Sequence, residues 1–191
     1  MKHLLLLTLF LSPLAAVAQT VPSDAARIAA ALAPLPEEFR DSATVAGRGP
    51  AGDLVTLRAG DGPFICLADD PAGDRFHVAC YHRSLEPFMA RGRELRAEGY
   101  TTQVDSLRHV EIDAGTLAMP DQPAALYSLT GPADAVDPDT GEVTGARRLY
   151  VIYVPFATGE STGLPTRPQP NAPWLMDPGT AKAHIMFVPE M

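Results

Sequence analysis

The most informative segment of this 191-residue chain is residues 64–82, FICLADDPAGDRFHVACYH. Two apolar runs, FICLA and FHVACY, flank a connection rich in Asp, Pro and Gly, which is typical of two antiparallel strands joined by a turn. If residues 71–75 form that turn, paired positions sum to 146 and Cys66 lies directly opposite Cys80. Directly paired residues lie about 4.5 to 5.5 Å apart, a separation that a disulfide can span. The sequence therefore predicts a disulfide between Cys66 and Cys80.

An alternative hypothesis keeps both thiols free and gives them chemistry. Cys80 and His82 lie two positions apart and hence on one side of a strand, where an imidazole could assist a thiolate or both could bind a metal ion. His184 joins them if its strand lies beside this hairpin. The set Cys66, Cys80, His82 and His184 matches the ligand types of zinc and copper sites. This alternative is a metal-assisted or thiol-based enzyme of the cell envelope.

Glu86 follows His82 by four residues, the spacing that places two side chains on one face of a helix. In the enzyme hypothesis, Glu86 belongs to the same catalytic site as Cys80 and His82. The simpler interpretation is the first turn of a helix capped by Ser84, where the helix dipole favours an acidic residue.

Apolar periodicity predicts an α+β fold, with a mainly antiparallel sheet of six to seven short strands and two to four covering helices in a single domain. Short connections rich in Gly, Pro and Asp join the first four strands and favour a β-meander. The last two strands are apolar at both parities, which predicts central positions with both faces buried. The predicted strands are 43–46, 54–59, 64–68, 76–81, 124–129, 148–156 and 184–188, and the predicted helices are 24–33, 84–98 and 102–114 with a short turn at 37–41.

Two long connections, 132–147 and 158–182, are further candidates for binding. The first contains DPDTGE (137–142), which has alternating oxygen donors but lacks the distant glutamate of a calcium loop, so we interpret it as a turn. The second is rich in proline and contains Trp174 and Met176. These two side chains form either a platform for a small ligand or partner protein, or a plug that fixes the loop to the core.

The start of the chain has the pattern of a secretory signal peptide. A basic start precedes an apolar run from Leu4 to Leu11, and Ala16 and Ala18 are the small residues of a cleavage site after Ala18. The run is shorter than the about 20 residues of a membrane span. The sequence thus predicts a signal peptide at 1–18 and a single secreted or periplasmic domain at 19–191, with no membrane insertion after cleavage.

The net charge of the chain limits the classes of molecule that it can bind. Removal of Lys2 with the signal peptide leaves 14 of the 15 basic residues against 23 acidic ones, a formal charge of −9. Unspecific binding to nucleic acid is therefore not expected. Neither a P-loop nor a dinucleotide-binding fingerprint occurs in the sequence, and we predict no cofactor.

The order of several short segments resembles a group of small exported bacterial proteins of unknown activity. The segments are FICL (64–67), CYH (80–82), AALY (124–127), PWLM (173–176) and AHIM (183–186). The resemblance implies no activity and no role for any residue. The leading hypothesis is a non-catalytic exported domain, stabilised by one disulfide, that binds a small ligand or an envelope protein around Trp174.

Overall fold

The structure is a computed structural model that describes residues 22–189. The predicted signal peptide lies outside the described residues. In chain order, the elements are α1 (Asp24–Leu32), α2 (Glu37–Arg40), β1 (Thr44–Arg48), β2 (Leu54–Arg58), β3 (Phe64–Leu67), β4 (Phe76–His82), a 3₁₀ turn (Arg83–Leu85), α3 (Glu86–Ala97), α4 (Val104–Asp113), β5 (Ala124–Gly131), β6 (Arg147–Tyr153), α5 (Gly159–Thr162), β7 (Trp174–Met176) and β8 (His184–Phe187).

The strands form one eight-stranded sheet in the order β2-β1-β3-β4-β5-β6-β8-β7. The fold is α+β in a single domain, as predicted, but the sheet has eight strands instead of six to seven, and residues 22–189 contain five α-helices instead of two to four. All neighbouring strands are antiparallel except β1 and β3. The predicted meander of the first four strands is therefore wrong, because β2 pairs with the outer side of β1.

Two glycines explain how the chain reaches the other side of β1. After β2 it passes closely over the residues before β1, where a Cβ on Gly60 would lie 2.3 Å from the carbonyl oxygen of Ser42. The N–H of Gly62 donates to that same oxygen at 2.8 Å. Only glycine permits such an approach, so the GDG segment allows a connection of five residues to pass from β2 to β3, which runs parallel to β1 on the other side of that strand.

The sequence pattern does not predict strand β7, because this strand has only three residues and lies in the proline-rich connection. It pairs with β8 and makes β8 the second strand from the edge. The prediction of two fully buried central strands is wrong in part. Ile152 on β6 is 42% exposed, and all four residues of β8 are only half-buried.

The core lies on both faces of the sheet. Helix α1 covers one face, where Ala31 and Leu35 pack on Val45, Phe64 and the cysteines of β3 and β4. Its first turn is capped by the hydroxyl of Ser23, which accepts from the N–H of Ala26 at 3.2 Å. The opposite face carries Tyr81, against which the chain around Leu85 and Met89 packs.

Candidate ligand-binding cleft

The two cysteines form the predicted disulfide. Cys66 and Cys80 are directly paired across β3 and β4, their sulfurs are bonded at 2.03 Å, and both residues are fully buried. The sulfur of Cys80 lies 3.1 Å from the carbonyl oxygen of Ala31 on the helix above it. Residues 22–189 contain no free cysteine. Neither sulfur is a nucleophile or a metal-ligating thiolate in this structure.

His82 serves the local fold. Its Nδ1 accepts a hydrogen bond from the N–H of Ser84 at 3.3 Å and lies 2.8 Å from the Ser84 hydroxyl. His82 therefore caps the 3₁₀ turn before α3, a role that the sequence pattern assigned to Ser84. The ring also meets Phe64 edge-on, with centroids 5.9 Å apart.

Glu86 forms its hydrogen bonds with residues other than His82. One carboxylate oxygen accepts from the hydroxyl of Tyr81 at 2.5 Å, and the other accepts from the guanidinium of Arg93 at 2.6 Å. Arg93 also donates to the Tyr81 oxygen at 3.1 Å. Burial, together with the hydrogen bond to Glu86, raises the pKa of Tyr81 far above its ordinary value. These three side chains form a closed network that joins β4 to α3.

His184 lies far from the disulfide. It is on β8, and two strands separate β8 from β4, which corresponds to roughly 14 Å across the sheet. Its Nδ1 lies 2.8 Å from the carbonyl oxygen of Lys182, and its ring packs on Tyr153 with centroids 5.2 Å apart. The fold does not bring Cys80, His82 and His184 together, and residues 22–189 contain no group of three metal-ligating side chains.

Trp174 and Met176 lie on the edge strand β7. Trp174 is buried, with its side chain on the same face as the paired residue Met186. Its indole N–H is buried and has no hydrogen-bond partner among residues 22–189. Met176 is 38% exposed and is paired with His184. Trp174 packs into the protein and presents no exposed aromatic platform.

A large cleft lies at the opposite end of β4 from the disulfide. Its volume is about 980 Å³, and three segments form its walls: the start of α1, the β3–β4 connection 69–76, and the first part of the β5–β6 connection 133–144. Both connections lie at one end of the sheet because β3, β4, β5 and β6 are successive antiparallel neighbours. The cleft has the size of sites that hold small molecules.

The wall formed by the β5–β6 connection is held by specific packing. Ala135 and Val136 contact Phe76 and its neighbours in the core, and Val136 forms an isolated bridge with Val143. Gly141 lies so close to α1 that an added Cβ would be 2.2 Å from the carbonyl oxygen of Ala26, and its φ of +75° also favours glycine. This wall is therefore fixed against α1.

Asp137 stabilises the turn in this wall. Its carboxylate accepts from the N–H groups of Asp139 and Thr140 at 3.0 and 2.8 Å, and these bonds hold the pKa of Asp137 below its ordinary value. The DPDTGE segment thus forms hydrogen bonds that are typical of an aspartate turn.

The cleft is acidic. Five carboxyl groups and two guanidinium groups line it, and they are Asp69, Asp70, Asp134, Asp137, Glu142, Arg27 and Arg75. Arg27 donates to the carbonyl oxygen of Arg48 at 2.7 Å and pairs with Asp24 at 3.1 Å. The carboxylates of Asp134 and Glu142 have no hydrogen-bond or ion-pair partner among residues 22–189. The wall thus offers carboxylates that are available to a ligand.

Asp69 is the least solvated of these carboxyl groups. Burial raises its pKa above the ordinary value of 3.8, the neighbouring Asp70 acts in the same direction, and a hydrogen bond from the N–H of His77 at 2.7 Å only partly opposes them. A cationic ligand would offset the cost of this ionised carboxylate.

The sequence pattern favoured a site around Trp174, although it also contained part of the signal for this cleft. The acidic residues at 69–70 and 134–142 occupy two connections that a hairpin arrangement places at one end of the sheet. The third wall, from α1, is set by tertiary packing. No helix in residues 22–189 is both long and apolar enough to span a bilayer.

Comparison of the chain with protein-family models, curated proteins and solved structures finds no match.

Proposed function

We propose that this protein is an exported, non-catalytic domain that binds a small cationic ligand in the cleft between α1 and the connections 69–76 and 133–144. The observation that carries the proposal is the cleft itself, because it combines a volume of about 980 Å³ with five carboxyl groups against two guanidiniums. Such an imbalance attracts positively charged groups. A binding role fits better than an enzyme, because the residues of the enzyme hypothesis lie apart or are bonded to other groups.

Export is the second part of the proposal. It rests on the signal-peptide pattern of residues 1–18, and the Cys66–Cys80 disulfide supports it because disulfides persist mainly in oxidising compartments. We expect the protein recovered from the envelope or the medium to begin at Gln19. Native mass spectrometry measures that start together with any ligand that remains bound. Recovery of the chain from the cytoplasm with Met1 intact would contradict export.

Ligand binding is tested with a probe of defined charge. We expect 1,5-diaminopentane to bind the mature protein saturably, with NMR shifts at backbone amides of the cleft, whereas the neutral 1,5-pentanediol leaves the spectrum unchanged. Loss of two carboxylates in Asp134→Asn/Glu142→Gln should weaken binding about tenfold, since each removes one cation partner without breaking a side-chain hydrogen bond.

The matched control is Asp53→Asn/Asp121→Asn. This pair changes the net charge equally but lies outside the residues that line the cleft, so it should leave the affinity for the diamine nearly unchanged. Equal weakening by both pairs would show that the diamine responds to overall charge, and equal binding of the diol would show that charge is irrelevant. Either result would reject the proposed site.

A further inference from the structure

Most arginines of the described chain are already engaged by a carboxylate or a carbonyl oxygen. Arg91, for example, binds Glu111 through two nitrogens at 2.8 to 2.9 Å, and Arg83 donates to the carbonyl oxygen of Gly62 at 3.1 Å. Four arginines have neither a hydrogen bond nor an ion pair within residues 22–189, and they are Arg75, Arg147, Arg148 and Arg167. Unpaired guanidiniums in an acidic protein are candidates for binding an external anion.

Two of these four arginines meet in one place. Arg75 and Arg147 line a second cleft of about 460 Å³, together with Asp74, Thr130, Gly131 and Pro132. Arg148, the next residue in the chain, points to the opposite face of the sheet because successive side chains of a strand alternate. Of these two adjacent arginines, only Arg147 lines the second cleft.

Strand register places His77 beside two residues that line the second cleft, Thr130 and Arg147. His77 on β4 pairs with Thr130 on β5, and Thr130 pairs in turn with Arg147 on β6. These three residues form a row across one face of the sheet. Nδ1 of His77 lies 2.8 Å from the hydroxyl of Thr130, which fixes both side chains.

The charge of the second cleft indicates which anion it fits. Burial lowers the pKa of His77 below its ordinary value of 6.5, and the charge of Arg75 acts in the same direction, so the imidazole is neutral at pH 7. Two guanidiniums and the carboxylate of Asp74 then leave one net positive charge. One positive charge matches a monoanion, whereas a phosphate dianion would leave excess negative charge beside Asp74.

We propose that this second cleft is a carboxylate-binding site in which the guanidiniums of Arg147 and Arg75 hold the anion. A planar guanidinium donates two parallel N–H bonds to a carboxylate, and such charged pairs are among the strongest hydrogen bonds in proteins. This proposal does not depend on the function proposed for the larger cleft. The second cleft is expected to bind a simple carboxylate, and that ligand needs no cationic group. Arg75 lines both clefts, so Arg147 is the residue that tests this site alone.

The test is an NMR titration of the mature protein with sodium acetate, at an ionic strength held constant with sodium chloride. We expect saturable shifts at the amides of Arg75, Thr130, Gly131 and Arg147. Arg147→Gln should weaken acetate binding at least tenfold, because the fork and its charge are both lost. Arg147→Lys, which keeps the charge without the fork, should give an intermediate affinity.

The control is Arg148→Gln, which removes the same charge from the adjacent position on the opposite face and should leave acetate binding unchanged. Thermal unfolding of Arg147→Gln and Arg148→Gln should match that of the wild type, which separates loss of binding from loss of folding. Equal weakening by both glutamine variants, unchanged binding in Arg147→Gln, or tighter binding of inorganic phosphate than of acetate would each overturn the proposal. We expect Arg147→Gln to leave diamine binding in the larger cleft unchanged, because Arg147 does not line that cleft, so each proposal can fail without the other.

Discussion

The two ends of strand β4 have opposite characters. At its carboxyl end, the polar or reactive groups have partners within the protein. Cys80 forms a disulfide with Cys66. The hydroxyl of Tyr81 is hydrogen-bonded to Glu86 and Arg93, and the imidazole of His82 accepts a hydrogen bond from Ser84. At its amino end, Arg75 has no partner within residues 22–189, and it lies between two clefts. Both ends belong to one strand with one regular register.

The difference shows that chemical reactivity in isolation is a weak guide to a site. At the carboxyl end, Cys80, His82 and Glu86 belong to residue types that perform chemistry in many proteins, yet each of them is bound to another group of the protein. At the amino end, Arg75, Asp134 and Glu142 become significant because their charged groups line open volume and have no hydrogen-bond or ion-pair partner among residues 22–189. A group that the fold leaves unpaired is available to a ligand.

The largest effect should come from removing the disulfide. We expect Cys66→Ala/Cys80→Ala to lower the free energy of unfolding by about 3 kcal/mol, because the cross-link no longer restricts the unfolded chain. Urea unfolding monitored by circular dichroism measures this loss. Under conditions in which the variant is folded, its affinity for 1,5-diaminopentane should equal that of the wild type. A parallel loss of affinity in the folded variant would mean that the two ends of β4 are not independent.

A smaller loss of stability is expected for Tyr81→Phe. The hydroxyl is buried between Glu86 and Arg93, so its removal should cost about 1.5 kcal/mol. The same urea measurement applies, and Tyr100→Phe is the control because Tyr100 is 40% exposed. Equal stability of the two variants would show that the network of Tyr81 contributes nothing.

Asp69→Asn should change binding without loss of stability. A carboxyl group with a raised pKa disfavours the folded state at neutral pH, and the amide oxygen can still accept from the N–H of His77. We therefore expect a thermal midpoint that is not lowered and an affinity for 1,5-diaminopentane that is weaker by about threefold at pH 7. A lowered midpoint would place Asp69 among the structural residues.

The pH dependence of diamine binding gives the smallest effect. Because the pKa of Asp69 is raised above 3.8, this carboxyl group takes up a proton at a higher pH than an ordinary aspartate. As the solution is acidified, the affinity for a cation should therefore begin to fall at a higher pH than it would with an ordinary aspartate at this position. This first part of the decrease should be absent in Asp69→Asn, and calorimetric titrations at several pH values measure it. Identical pH profiles would remove Asp69 from the binding site.

Local pattern accounts for much of the fold. Alternation and turn residues predicted the hairpin of β3 and β4 with its register, and apolar periodicity predicted the helix at 24–33 that forms α1. The pattern failed where long-range packing decides. The crossing at Gly60 reverses the order of β1 and β2, and β8 provides the partner that makes a strand of residues 174–176. β7 and β8 are close in sequence, but a strand of three residues shows too little alternation for the sequence pattern to predict it.

The sequence by itself determined that Cys66 and Cys80 face each other, because side chains alternate along a strand and a short turn fixes the register. It also determined an α+β fold. Only the tertiary structure decided that His184 lies far from that pair, that α1 closes the acidic cleft, and that Arg147 meets Arg75. The physical reason is that a site made from several segments depends on the order of strands across the sheet, and that order follows from packing among residues distant in the chain.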